Sequence, residues 1–582
     1  MKLNALLSKL FIALSICLLV ACGGGTNAPL DSDGDEVADT SDNCPATANA
    51  DQNDTDADGT GDVCDDDKDG DTVLNDADNC PLIANTDQAD ADVNGQGDVC
   101  DAMPTAYVYN NAAFTGSDSS VSYTGQTARQ VLIGDMAYYM QSVLEDTTAT
   151  TEAEKVTAME FFVYGTDADV TSTLIGTWIK DADNVALKDA ATYGDISSGK
   201  NLDKKIAGGC GANCGEESKL IGGEFFGWSY GIIPATPLEL VDHWIATQAT
   251  LASDGAAVQV TDATGATSSA NVNTDDHGRN YRQLMQKFLM GAVSFSQGTN
   301  DYFKTDFIGQ NSEGVNNVAA QDGTKSYTYA EHKFDEGFGY YGAARDALAY
   351  TDLEARAKSG RDEYKNGYYD TDGDGEIDVR SEYHFGHAQN CAKRDAGSAS
   401  GPNPTDFTTE VMEAMLAARQ IISNAANKAN PELTAAENTK LQEHIKVASV
   451  AWEKCIAATA VHYVNDVIAD VSEYSAGAPA SLSNFETVAK HWSELKGFAL
   501  SLQFSPASPF RDDTVTAVDL DDLKTVLNLI GDAPVLADGS QGGVAATGTA
   551  EDAVYAYIGK LTDARAILQK AYGFSDANTL GW

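Results

Sequence analysis

Four stretches near the front of the chain set oxygen-bearing side chains at positions 1, 3, 5, 9 and 12 of a short loop. The first uses Asp31, Asp33, Asp35, Asp39 and Asp42, and the second Asp54, Asp56, Asp58, Asp62 and Asp65. The third uses Asp67, Asp69, Asp71, Asn75 and Asp78, and the fourth Asp90, Asp92, Asn94, Asp98 and Asp101. Alternating oxygens at this spacing wrap a hard cation that takes about six to eight oxygen ligands, so the pattern predicts calcium. Gly59 and Gly95 stand at the sharp turn of the second and fourth loops, whereas Glu36 and Thr72 stand there in the first and third, which predicts weaker binding at those two. A fifth loop, Asp370, Asp372, Asp374, Gly375, Glu376 and Asp378, repeats the pattern far downstream, with Ser381 or Glu382 near its closing position.

The elements that must position these acids cannot be ordinary ones. Between Asp31 and Asp101 there are 23 acidic residues and one Lys, with eight Val, Leu and Ile and no aromatic residue. Such a composition buries too little apolar surface to offset chain entropy. Bound cations must then be part of the fold, their binding free energy acting as folding free energy. Cys44 to Cys80 and Cys64 to Cys100 are both spaced by 36 residues, the mark of a repeat.

The runs Asp42-Asn43-Cys44-Pro45, Asp78-Asn79-Cys80-Pro81, Gly61-Asp62-Val63-Cys64-Asp65 and Gly97-Asp98-Val99-Cys100-Asp101 resemble thrombospondin type 3 repeats. The resemblance implies calcium wrapped by the chain, disulfides Cys44–Cys64 and Cys80–Cys100, and a part in cell-surface adhesion.

At the N-terminus, Lys2 and Lys9 flank a short apolar run that continues from Leu10 to Leu19, shaped like a secretory signal and too short for a stable span. Its end, Leu19-Val20-Ala21-Cys22, resembles the lipobox of bacterial lipoproteins, which implies cleavage and acylation at Cys22. Two or more acyl chains anchor stably where one is marginal. Gly23, Gly24 and Gly25 then read as a tether, and the absence of an acid after Cys22 favours the outer membrane. Cys210, Cys214, Cys391 and Cys455 are further cysteines in an oxidising compartment; Cys391 could pair with Cys455 and Cys210 with Cys214.

The remainder carries the aromatic residues, and its apolar residues recur at helical spacing in Gln130 to Leu144, Glu154 to Phe162, Leu238 to Leu251, Tyr281 to Phe303, Tyr327 to Leu348, Phe407 to Ala429, Leu433 to Val471, Phe485 to Leu502 and Ala550 to Tyr572. This predicts a mainly α fold: a large helical bundle, with a long loop from Ser359 to Pro404, preceded by an irregular calcium-wrapped stalk. Glu331-His332-Lys333-Phe334-Asp335 and Lys490-His491-Trp492-Ser493-Glu494 each place a His and an acid three residues apart, a likeness that points to internal duplication. His332, Asp335, His491 and Glu494 could thus hold iron or zinc, as bundle metal sites do. The His-x-x-acid order resembles imelysin-like surface lipoproteins, which implies metal uptake, although Ala330 and Ala489 stand where that family has Gly. The region is also similar to an uncharacterised helical lipoprotein domain found behind such calcium repeats. His384 and His387 read as surface histidines.

With 88 acidic residues against 37 basic ones, a net charge of −51, the chain is no nucleic-acid binder. Gly227-Trp228-Ser229-Tyr230-Gly231 fits the spacing of a nucleophile elbow, but Gly222-Gly223 before it and Pro234 and Pro237 after it deny the strand and helix that motif needs. The sequence therefore predicts a signal peptide over 1–21, a tether over 22–30, calcium repeats over 31–104 and an α domain over 105–582. The expected role is binding to a surface or protein ligand from a lipid anchor, without catalysis.

Overall fold

The computed structural model describes residues 30–111, 119–144, 151–165, 185–208, 220–253, 257–303, 317, 324–429, 431–474, 480–512, 514 and 517–582. Cys22, Cys210 and Cys214 lie outside them. Contacts divide the chain into two compact units, one reaching to Asp90 and adding Gly95–Asp101, the other made of Ala91–Asn94 and Ala102–Trp582.

Turns and bends make up the first unit, with neither helix nor strand among its described residues. Its bonds recur with the sequence period. Gln52 Nε2 donates to Asp42 Oδ1 at 2.8 Å, and Gln88 Nε2 to Asp78 Oδ1 at 2.8 Å. The Asn49 amide donates to Asp35 Oδ2 and the Asn85 amide to Asp71 Oδ2, both at 2.7 Å. Disulfides join Cys44 to Cys64 and Cys80 to Cys100, the pairs implied by the repeat resemblance. Gly61 and Gly97 sit against these bridges, where a Cβ would come within 2.5 Å of Asn43 Oδ1 and 2.4 Å of Asn79 Oδ1. No larger residue fits without displacing the asparagine.

The second unit is mainly α, and its described strands form one short hairpin, Gln259–Thr261 with Thr267–Ser269. The long helix Ala435–Ser472 begins at a capping box, in which Thr434 and Glu437 satisfy each other's backbone amides. It buries Leu441, Ile445, Ala448, Trp452, Cys455 and Thr459, residues three or four apart on one face. That face packs against Phe407–Ala426, Leu482–Ser501 and Gly386–Ser398. Trp452 lies at the centre, edge-on to Phe295 at 5.3 Å, Tyr341 at 5.3 Å and His387 at 5.4 Å. A disulfide joins Cys391 to Cys455. The helix Tyr281–Leu289 continues as π-helix through Met290–Phe295 and Gln297–Tyr302, with Gly298 so close to Trp452 that a Cβ would stand 2.5 Å from its ring.

One expectation is overturned here. Within the span read as a loop, Gly386–Ser398 is a helix, and His384 and His387 are buried rather than at the surface. The buried face of this helix mixes Ala388, Cys391 and Ala392 with His387, Asn390, Arg394 and Asp395, so its apolar stripe is short and built of small residues. His384 meets the Gly367 carbonyl at 3.2 Å through Nδ1, and His387 meets the Met290 carbonyl at 2.9 Å through Nε2. Burial lowers both imidazoles to about 4, which keeps them neutral.

Candidate metal centres

In three front loops the first, third and fifth acids converge. One carboxylate oxygen from each of Asp31, Asp33 and Asp35 lies within 4.8 Å of the others, as do those of Asp54, Asp56 and Asp58 and of Asp67, Asp69 and Asp71. The loops hold themselves in this shape with their own carboxylates. Gly34 N donates to Asp31 Oδ1 at 2.7 Å, Gly59 N to Asp54 Oδ2 at 3.1 Å and Thr72 N to Asp67 Oδ2 at 3.0 Å. The ninth-position side chains tie each loop's second residue: Asp39, Asp62 and Asn75 accept from the Ser32, Thr55 and Lys68 amides. In the fourth loop, Gly95 N donates to Asp90 Oδ2 at 3.0 Å and Asn94 N to Asp92 Oδ1 at 3.2 Å.

Both oxygens of Asp31, Asp35 and Asp71 accept backbone amides, whereas in five other acids one oxygen binds backbone while its twin faces inward. Asp33 Oδ2, Asp54 Oδ1, Asp67 Oδ1 and Asp69 Oδ2 are out of contact with solvent and accept no hydrogen bond, and so is Asp42 Oδ2. A buried carboxylate oxygen without a donor is costly, and a cation at the focus of the triad removes the cost. The electrostatics agree. Removal from water, with Asp35, Asp42 and Asp31 nearby, raises the Asp33 carboxyl above the usual range, and the same cause, with Asp71, Asp78 and Asp67, raises Asp69.

Residues 21–52 and 53–88 match the thrombospondin type 3 repeat. That repeat is a calcium-binding one, so the donor set, the enclosed oxygens and the comparison agree on calcium. A second match, to a domain of unknown function (DUF4856), covers residues 217–375. No curated protein matches the chain.

The matched thrombospondin type 3 repeats differ from the downstream loop in how their charge is met. Asp370, Asp372 and Asp374 also bring three carboxylate oxygens within 4.8 Å. There Lys188 Nζ reaches Asp372 at 2.6 Å and Asp374 at 2.5 Å, and Arg380 Nε reaches Asp378 at 2.6 Å. Both Asp370 oxygens accept backbone amides, from Gly373 at 2.6 Å and Gly375 at 2.8 Å. Glu382 is engaged as well, by Thr371 N at 2.7 Å and Asp378 N at 2.8 Å. A cation here would have to compete with an internal ammonium. Lys188, 184 residues before Asp372, carries no sequence signal of this role.

The two His-x-x-acid segments do not share a partner. Asp335 accepts Arg419 Nε at 2.8 Å and Tyr107 Oη at 2.9 Å in the interior, and Ser122 N at 3.0 Å at its edge. Arg419 also reaches Glu331 at 3.2 Å. His332 meets the Ser122 carbonyl at 2.9 Å and stacks on Tyr327 at 4.8 Å. His491 instead pairs with Asp470 at 2.8 Å through Nδ1, and Glu494 lies 3.7 Å from Lys287 Nζ. Among the described residues, groups of three metal-ligating side chains within 4.8 Å are the four aspartate triads alone. Asp335 is therefore a carboxylate neutralised by Arg419, and the geometry gives the iron or zinc reading no support.

Ser229 Oγ donates to Asp532 Oδ2 at 2.7 Å, and no strand leads into it. Among the described residues, no helix is long and apolar enough to cross a membrane.

Proposed function

We propose that this protein is a calcium-dependent surface lipoprotein whose work is binding, with the thrombospondin type 3 repeats ordered by the ion and the α unit offering the ligand-binding surface. The observation that carries the reading is the set of enclosed carboxylate oxygens without donors in the first three loops. The lipid anchor and the outer membrane rest on the sequence alone, on the run Leu19-Val20-Ala21-Cys22. Adhesion rests on the kinship of the repeats with those of surface proteins.

Two measurements on the full chain test this. In a Gram-negative host, radiolabelled palmitate is expected on the wild type and absent from Cys22→Ser; label on both, or on neither, contradicts the anchor. Cells displaying the protein should bind a surface or partner cells in calcium and release on chelation, and attachment indifferent to both protein and calcium ends the adhesion reading.

A further inference from the structure

A chain with a net charge of −51 has every reason to neutralise its cations, yet in the α unit Arg282 and Arg394 each keep an enclosed Nε without an acceptor. A cavity of about 400 Å³ opens between the helices Thr124–Ser142 and Tyr281–Leu289 and the start of Gly386–Ser398. Its wall includes Arg282, Gln130, Gln286, Gln389, Tyr138 and Ser142, and among the described residues no acid lines it. Arg282 makes no side-chain hydrogen bond or ion pair with a described residue, and its Nε is enclosed without an acceptor. Gly386 brings the next helix close, for a Cβ there would stand 2.6 Å from Met290 Cε.

The surroundings reinforce this one charge. Lys287, on the same helix, donates to Gln286 Oε1 at 2.8 Å and faces Glu494 at 3.7 Å. Lys393 and Arg394 follow Gln389 on the facing helix, and Arg394 Nε is again enclosed without an acceptor. Burial, with Arg282 and Lys490 opposing the pull of Glu494, lowers Lys287 to about 8. Burial, with Lys287, Arg394 and Lys358 against Glu494, lowers Lys393 to about 8. Glu494 stands among them, pulling on Arg282, Lys287 and Lys393, while Asp466 and Asp395 act on Arg394. At the cavity wall itself Arg282 has no bonded carboxylate, and an anion entering the cavity would supply one.

The neutral groups narrow the class. Gln130 and Gln389 each commit Nε2 to a backbone carbonyl, of Tyr340 at 2.7 Å and His384 at 2.8 Å, which leaves their carbonyl oxygens to accept hydroxyl groups. Gln286, its oxygen taken by Lys287, keeps amide hydrogens to donate. A guanidinium is matched by a carboxylate in two parallel bonds, and the volume lies in the range, roughly 300–1,000 Å³, of small-molecule sites.

We propose that this cavity binds a small hydroxylated carboxylate of sugar-acid size, with the carboxylate on Arg282 and the hydroxyl groups on Gln130, Gln286 and Gln389. This inference is independent of the calcium reading. The test is calorimetry on the calcium-loaded full chain with D-galacturonate, methyl galactoside and inorganic phosphate as probes. Galacturonate should bind at least about tenfold more tightly than the neutral galactoside and than phosphate, and Arg282→Gln should lower its affinity by about tenfold or more. Gln389→Leu, which retains the charge, should weaken galacturonate while leaving the weak phosphate response unchanged, and circular dichroism checks that both variants keep their helices. No binding of galacturonate, equal affinity for the neutral sugar, preference for phosphate, or indifference to both substitutions overturns the proposal.

Discussion

Lys188 separates the downstream aspartate loop from those at the front, because it places an ammonium where a cation would stand between Asp372 and Asp374. In Lys188→Met, calcium should bind the 370–378 loop about tenfold more tightly, visible as a higher-affinity class in a calcium titration of the full chain. An unchanged titration would show that the lysine does not compete. Glu453 offers a different test. It is fully buried, accepts hydroxyl bonds from Ser508 at 2.6 Å and Tyr572 at 2.7 Å, and burial raises its carboxyl to about 7. The folded state then holds a proton that the unfolded state has lost above its ordinary value of 4.5, so this group's contribution to stability falls as pH rises from there towards 7. Glu453→Gln should leave stability near pH 5 little changed and raise it at pH 8 by on the order of 1–3 kcal/mol, read from denaturant midpoints. An equal effect at both pH values would place the cause elsewhere.

At the scale of elements, the acid spacing reveals the calcium loops while leaving their backbone strain hidden. Glu36 and Thr72 take φ of 77° and 82°, beside 99° at Gly59 and 94° at Gly95, so all four turns share one left-handed shape. Thr72→Gly should relieve about 1 kcal/mol of strain and tighten calcium binding by the third loop several-fold. Looser binding would mean that the threonine stabilises the turn. In the α unit, the apolar stripe of Ala435–Ser472 is legible because large hydrophobic residues bury it, whereas Gly386–Ser398 escapes notice because its buried face mixes small apolar residues with polar ones. The reading of His332 with Asp335 fails for a related reason. Spacing puts both on one helix, but only tertiary packing brings Arg419, from another helix, onto Asp335 at 2.8 Å. Arg419→Leu leaves Glu331 and Asp335 buried without their cation and should cost about 3–5 kcal/mol of unfolding free energy. A cost below about 1 kcal/mol would show that the carboxylates find other neutralisation.

Over the whole chain, two kinds of stabilisation operate. The α unit has the apolar interior around Trp452, which its aromatic-rich sequence foretells. The repeats have turns, two disulfides and converging carboxylates; the acid spacing foretells the carboxylates and the thrombospondin type 3 resemblance implies the disulfides, but neither announces the bonds of Gln52 and Gln88. Those glutamines sit outside the acid pattern and join its segments only when the chain is folded. Calcium removal should therefore act on the first unit and spare the interior of the second. The direct measurement is hydrogen exchange of the intact, disulfide-bonded protein in calcium and in chelator, resolved by peptide. Peptides from residues 30–90 should lose most of their protection in chelator while those from Ala435–Ser472 keep theirs; identical protection of residues 30–90 in both conditions would contradict the account.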